Sequence, residues 1–196
     1  MNTKDLKVAA RYLANNLKLR KSKSEVYLRH QTLKKIYDEQ PEKAMIVDAA
    51  VVEGKHLDDP FRSEVHLNPE LKSPLKTGLH RAVGGDHDFA NPGDILCAAL
   101  ATCFESTMRM IANRLEVELT HTKVEVQANV DVRGTLMFDK SVPVGFQSMH
   151  LNVEIGAKNI SENMVNTLFN ATKRSCVVYQ TLKPGIPISK SVKMVG

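Results

Sequence analysis

Three cysteines, Cys97, Cys103 and Cys176, are the residues of this 196-residue chain best suited to redox chemistry. A thiolate attacks peroxides and disulfides, and two thiols can close a disulfide. Cys97 and Cys103 are six residues apart on one predicted helix, about 240° around its axis, so they cannot form a vicinal pair. Three is an odd number of cysteines, which does not suit a structural disulfide framework. We therefore expect a chemical role for these cysteines, with burial as small apolar residues as the alternative for each one.

Cys103 and Cys176 differ in their predicted positions. Cys103 lies about three turns after Pro92, where its helix is predicted to begin, and this is beyond the first turn, in which the helix dipole lowers a thiol pKa. Activation of Cys103 therefore needs a cation from elsewhere in the chain. Cys176 follows the end of a later predicted helix, where the dipole is still less favourable, so it is better suited to be a second, resolving thiol.

The sequence does not indicate a nucleotide, phosphate or metal site. Gly84-Gly85 has neither the glycine spacing of a dinucleotide loop nor the lysine of a phosphate loop. Asp86, His87 and Asp88 include metal-ligand types, but no second group of ligands with a known spacing accompanies them. The sequence therefore predicts neither a metal nor a cofactor.

The hydrophobic pattern predicts the elements that position the cysteines. Two amphipathic helices come first, three strands follow, and Pro92 then begins a long apolar helix of more than twenty residues. Strict alternation predicts two further strands, separated by a turn region at 134–145, and Ser161 caps another helix that ends near Cys176 to Leu182. A final strand closes the chain, which gives an α+β fold with antiparallel pairing. The predicted ranges are helices 3–17 and 24–40 and strands 44–53, 61–67, 75–83, 124–132, 151–155 and 186–195.

The charge distribution separates the first 43 residues from the rest. The net charge is +5, yet residues 1–43 alone hold 11 basic and 5 acidic residues. A basic face can be merely solvated or can dock an acidic partner, and no motif indicates nucleic-acid binding. No stretch approaches the roughly 20 apolar residues of a membrane span, and the N-terminus is not like a secretory signal. We therefore expect a cytoplasmic protein with a basic helical extension, 1–43, and a second domain, 44–196.

Two motifs carry a resemblance to a known family. The first is Asn-Pro-Gly-Asp-Ile-Leu-Cys-Ala-Ala-Leu-Ala-Thr-Cys, which ends at Cys103, and the second is Arg-Ser-Cys-Val-Val-Tyr-Gln-Thr-Leu-Lys around Cys176. Both resemble the two cysteine motifs of the OsmC/Ohr family of osmotically inducible and organic hydroperoxide resistance proteins. The resemblance spans about residues 44–196, and the predicted order of elements also agrees with that family.

The resemblance implies an OsmC-like fold, with antiparallel sheets around two long central helices in an intertwined homodimer. It also implies a thiol-dependent peroxidase for organic, lipid-like hydroperoxides. In that mechanism Cys103 becomes a sulfenic acid, Cys176 condenses with it to a disulfide, and an external dithiol such as a dihydrolipoyl group reduces the disulfide. Arg81 is the first candidate for the activating cation and Asp94 for the carboxylate that steadies it, with Arg62 as the second candidate arginine.

Two departures from the family pattern favour a different class of function. Gly93 stands where hydroperoxide-specialised members carry Glu, and Cys176 is followed by Val-Val-Tyr where Pro-Val-Ser is common. The alternative is a non-catalytic dimeric module that docks an acidic partner through its basic N-terminal helices. Both cysteines are nevertheless present at the motif positions, which core packing alone does not require.

Overall fold

A computed structural model describes residues 24–54, 57–68, 70–158 and 161–185. The chain divides into two compact units, one ending at Met45 and the other beginning at Ile46. In the first unit, helix α1 spans Glu25–Glu39, and the Ser24 side chain accepts a hydrogen bond from the backbone N–H of Tyr27. A 3-10 turn over Pro41–Ala44 follows. The predicted helix that begins at Ser24 is confirmed, whereas the predicted helix over 3–17 lies outside the described residues.

The second unit begins with a three-stranded antiparallel sheet. Strands β1 (Val51–Val52), β2 (Arg62–His66) and β3 (Leu75–Gly78) lie in the order β1-β2-β3. The predicted strands over 44–53 and 75–83 are therefore too long. The first predicted strand is shortened because Val51 and Val52 alone pair with β2. The chain leaves β3 in a 3-10 turn, Arg81–Val83, which ends at Gly84 with a left-handed φ of 89°.

Helix α2, Pro92–Arg114, is the longest described element. Asn91 accepts hydrogen bonds from the backbone N–H groups of Gly93 and Asp94, and the Asp94 carboxylate accepts one from the N–H of Asn91. This capping box and Pro92 at the first helical position fix where the helix begins. Among the described helices, α2 is long and apolar enough to cross a membrane by length and composition. The core helices of other proteins meet the same criteria, and α2 packs against β4, α4 and α5 of this chain.

An antiparallel hairpin covers one side of α2. Its strands are β4 (Leu119–Asn129) and β5 (Ser148–Ala157), and they pair from Leu119 opposite Ala157 to Asn129 opposite Ser148. Along β4, partly buried residues alternate with exposed ones, as the period of a half-buried strand requires. The predicted strand over 124–132 is wrong at both ends, since β4 begins at Leu119 and ends at Asn129, and Val132 instead begins the short helix α3, Val132–Thr135.

The helix predicted to begin after Ser161 is two helices in the structure. Helix α4 spans Glu162–Ser175 and helix α5 spans Val177–Leu182, with Cys176 between them in an extended conformation. The predicted final strand over 186–195 lies outside the described residues.

The core lies where α2 meets the hairpin and the two last helices. Its fully buried apolar side chains come from α2, α4 and the junction at Cys176. The observed fold is thus mixed α+β with antiparallel sheets. The buried residues of the core form two clusters, one of Leu100, Phe104 and Cys176 and the other of Met108, Ala112 and Leu168.

Candidate functional site

The structure brings Cys103 and Cys176 together from positions 73 residues apart. The Cys176 thiol donates a hydrogen bond to the sulfur of Cys103 over 3.2 Å. Both cysteines are reduced in this arrangement. A disulfide needs a sulfur separation of about 2.05 Å, so a shift of little more than 1 Å would close the bond.

Cys176 is held at the junction of two helices. Its N–H donates to the carbonyl of Thr172 in the last turn of α4, and its sulfur accepts the N–H of Tyr179 in the first turn of α5, at 3.4 Å. The side chain has no exposed surface. Burial, and secondarily the bond to Cys103, raises the pKa of the Cys176 thiol to about 11, so it keeps its proton at neutral pH. The protonated Cys176 thiol can therefore act as the donor in the hydrogen bond to Cys103.

Cys103 is only partly buried, and its neighbourhood is apolar and aromatic. The next residue, Phe104, is fully buried and packs against Phe169 and Tyr179, with ring centroids 5.7 and 6.2 Å apart. A cation also lies beside this group, since Nζ of Lys173 is 5.5 Å from the centre of the Phe169 ring.

Arg81 and Asp94, the first candidates for activating Cys103, are not bonded to each other among the described contacts. The Asp94 carboxylate accepts from the N–H and side chain of Asn91, at 3.0 and 2.6 Å, and lies 3.3 Å from Nε2 of His87. Asp94 therefore closes the capping box of α2. Within the described residues, the exposed side chain of Arg81 makes no hydrogen bond or ion pair.

Of the two candidate arginines, Arg62 is the one that forms bonds with carboxylates. Its Nε donates to Asp88 at 2.9 Å and its Nη2 to Asp86 at 2.5 Å, while Nη1 lies 3.6 Å from Asp59. These bonds raise the pKa of Arg62, and the bond from Arg62 lowers the pKa of Asp88. Sequence reasoning treated Asp86 and Asp88 only as possible metal ligands. Their position in the loop directly before α2 was the signal that could have identified them as partners of an arginine.

A cavity of about 410 Å³ lies beside Arg62, next to β2 and β3. Its wall includes Lys76, whose ammonium lies 5.9 Å from the centre of the Phe89 ring. Neither Cys103 nor Cys176 lines this cavity. Among the described residues, no cluster of three or more His, Cys, Asp or Glu side chains is arranged to hold a metal ion.

Cys97 lies apart from the cysteine pair and is partly buried. Burial, with a smaller contribution from the charge of Asp94, raises its pKa. A raised pKa lowers the thiolate fraction, so these surroundings do not activate Cys97 as a nucleophile.

The presence of glycine at position 93 has a structural explanation. A Cβ at this position would lie 2.9 Å from Oδ1 of Asn91, the capping oxygen, and 3.2 Å from the ring of Phe146. The side chain of a glutamate would therefore have to displace the cap of α2 or the Phe146 ring. The Phe146 ring comes from the β4–β5 connection, so the sequence around Gly93 gives no sign of this restriction.

Comparisons with known proteins agree on the family and the fold. Residues 85–191 match the family model described as OsmC-like protein. Similar solved structures include an OsmC-like protein of unknown function from Vibrio cholerae, with 11% identity and a TM-score of 0.58 over 71% of this chain and 95% of that one. An organic hydroperoxide resistance protein OsmC from Legionella pneumophila has 18% identity and a TM-score of 0.51 over 71% and 90% of the two chains.

An organic hydroperoxide resistance protein from Elizabethkingia anophelis has 14% identity and a TM-score of 0.53, over 71% of this chain and 90% of its own. At such identities, likeness in structure shows the fold alone. A search of curated proteins gave no match.

Proposed function

Since this chain belongs to the family of OsmC-like proteins, we propose that it is a thiol-dependent peroxidase that reduces organic, lipid-like hydroperoxides to alcohols. The observation that carries the proposal is the 3.2 Å separation of the Cys103 and Cys176 sulfurs. Two similar solved structures are of organic hydroperoxide resistance proteins. The apolar and aromatic surroundings of Cys103 suit a hydroperoxide with an apolar tail better than hydrogen peroxide.

Cys103 is the proposed nucleophile because it is the less buried thiol of the pair and accepts a hydrogen bond from Cys176. Its thiolate attacks the distal peroxide oxygen, the O–O bond breaks, and the alkoxide takes a proton and leaves as the alcohol. The Cys176 thiol then condenses with the Cys103 sulfenic acid, which forms the disulfide and releases water. An external dithiol, with a dihydrolipoyl group as the proposed type, reduces this disulfide and is itself oxidised. No cofactor takes part in this scheme.

A cation that interacts with the Cys103 thiolate is part of the proposal. Arg81 with Asp94 remains one candidate pair. The bonds of Arg62 to Asp86 and Asp88 favour Arg62, since an arginine held at two nitrogens has a fixed orientation.

We further propose that the active form is a homodimer whose two long helices pack together. Small side chains, including the exposed Ala98, Ala99 and Thr102, lie on α2 and allow a second helix to come close. In this proposal residues 44–196 form the OsmC-like domain, residues 1–43 are a basic helical extension, and the protein acts in the cytoplasm.

Peroxide consumption with a dithiol reductant tests the activity directly. We expect the purified protein to consume cumene hydroperoxide faster than hydrogen peroxide with dihydrolipoamide as the reductant. The Cys103→Ser variant should lose turnover, and Cys176→Ser should lose dithiol-dependent turnover while still reacting once with peroxide. The matched control, Cys97→Ser, should retain activity.

Absence of turnover, together with absence of a Cys103–Cys176 disulfide after peroxide treatment, would refute the peroxidase. Attention would then turn to the alternative, a non-catalytic dimeric module that docks an acidic partner through its basic N-terminal extension.

A further inference from the structure

We propose that the reducing dithiol attacks the disulfide at the sulfur of Cys103, the same sulfur with which the hydroperoxide reacts. This inference rests on the proposed function and specifies where the reducing partner acts. Its consequence is that one thiol meets both substrates in turn, while Cys176 never meets either of them.

The two cysteines differ in exposure. Cys176 has no exposed surface, whereas Cys103 is partly exposed. Cys176 belongs to the same buried cluster as Leu100 and Phe104. An attacking thiolate must approach the sulfur that it attacks, so burial protects the Cys176 side of the disulfide.

Exposure of Cys176 would require local opening of its helix junction. Its N–H is bonded to the carbonyl of Thr172, which is itself fully buried, and its sulfur caps the first turn of α5 through the N–H of Tyr179. Opening would break both bonds and expose the aromatic contact of Tyr179 with Phe104. Attack at Cys103 requires none of these changes.

Leaving-group chemistry favours attack at Cys176, because the pKa of about 11 makes Cys176 a poor leaving group. Attack at Cys176, however, first requires local opening of a buried helix junction, so that only the open fraction of the molecules can react there. In this proposal access outweighs leaving-group chemistry.

The resulting sequence of steps is balanced. One thiol of the reductant, as its thiolate, bonds to the Cys103 sulfur, the Cys103–Cys176 bond breaks, and Cys176 leaves with the electron pair and takes a proton. The second thiol of the reductant loses its proton and attacks the reductant's own sulfur in the mixed disulfide. Cys103 leaves as the thiolate, the reductant becomes a cyclic disulfide, and Cys103 is ready for the next hydroperoxide.

Mapping of the first mixed disulfide tests this order. The Cys97→Ser protein is oxidised with diamide, so that disulfide formation does not depend on peroxidase activity. It is then mixed with glutathione, quenched at about pH 2 after short intervals to stop thiolate exchange, and digested with pepsin for mass spectrometry. We expect the first glutathione on Cys103 and a free thiol at Cys176. First appearance of glutathione on Cys176 would overturn the inference.

A second measurement does not need the disulfide at all. In the Cys97→Ser background, Cys103→Ser leaves Cys176 as the only thiol and Cys176→Ser leaves Cys103. With Ellman's reagent, we expect native Cys103 to react at least about 100-fold faster than native Cys176, and the two to react alike in denaturing urea. Similar rates in the native proteins would contradict the access argument. Loss of peroxide turnover with these rates unchanged would count against the proposed function and not against the difference in access.

Discussion

Arg62 on β2 and Asp88 in the loop before α2 form a charge-assisted hydrogen bond of 2.9 Å, and Asp86 binds the same guanidinium at a second nitrogen. The two carboxylates fix the direction of an otherwise flexible side chain. All three side chains remain partly exposed, so the bonds orient Arg62 without burying it. An oriented, exposed arginine is suited to interact with an anionic sulfur or a peroxide oxygen.

We therefore expect Arg62→Lys to lower the rate of peroxide consumption about tenfold or more, because the compact ammonium lacks the planar, rigid fork of donors with which the guanidinium holds both carboxylates. Arg81→Lys, at the other candidate arginine, is the comparison, since within the described residues the Arg81 side chain makes no hydrogen bond or ion pair. Stopped-flow oxidation of Cys103 measures the effect. A larger loss for Arg81→Lys would return the activating role to Arg81 and Asp94.

Removal of the cap of α2 should destabilise the second unit. Asn91→Ala removes the oxygen that accepts the N–H groups of Gly93 and Asp94, and we expect the free energy of unfolding to fall by about 1 kcal/mol. Asn113→Ala, at the other end of the same helix, removes only one exposed side-chain bond to a carbonyl and should change it by less than about 0.5 kcal/mol. Urea denaturation followed by circular dichroism compares the two, and equal effects would show that the cap is not important.

The core beside the cysteine pair should be sensitive to lost volume. Phe104 is fully buried, and Phe104→Ala should lower the free energy of unfolding by about 3–5 kcal/mol. Phe138 is 78% exposed, so Phe138→Ala should cost no more than about 0.5 kcal/mol. The milder Phe104→Leu covers the case in which Phe104→Ala does not fold. Similar melting temperatures for the Phe104 and Phe138 variants would contradict the assignment of Phe104 to the core.

The raised pKa of Cys176 predicts a loss of stability in alkali. The unfolded thiol ionises near its ordinary value of 9.0, whereas the folded thiol ionises near 11. Between these values the unfolded chain has released a proton that the folded chain still binds, so stability falls as pH rises from about 9 to 11. Below pH 9 both states are protonated and this contribution is complete.

Urea unfolding of the reduced protein at several pH values checks this dependence. Cys176→Ala should show a shallower loss between pH 9 and 11, while Cys97→Ala, which is only partly buried, should stay closer to the original profile. An unchanged slope in Cys176→Ala would contradict a buried, protonated Cys176.

The sequence by itself determined the features that are local along the chain. Periodicity and caps predicted the helix that begins after Ser24, the long helix at Pro92 and the helix after Ser161, because each depends on residues a few positions apart. The alternation of Val124, Val126 and Ala128 predicted the half-buried face of β4 for the same reason, although the strand ends at Asn129, before Val130 and Val132. The cysteine motifs predicted the family, which the comparisons confirm.

Only the tertiary structure decided which side chains meet. The separation of the Cys103 and Cys176 sulfurs, the bonding of Arg62 rather than Arg81 to carboxylates, and the contact of Phe146 with the Gly93 position join residues far apart in sequence. Such pairings depend on strand register and on the packing of helices, which no local pattern encodes. The break at Cys176 was missed for the same reason, because a buried thiol that caps a new helix has no distinct signal in the sequence.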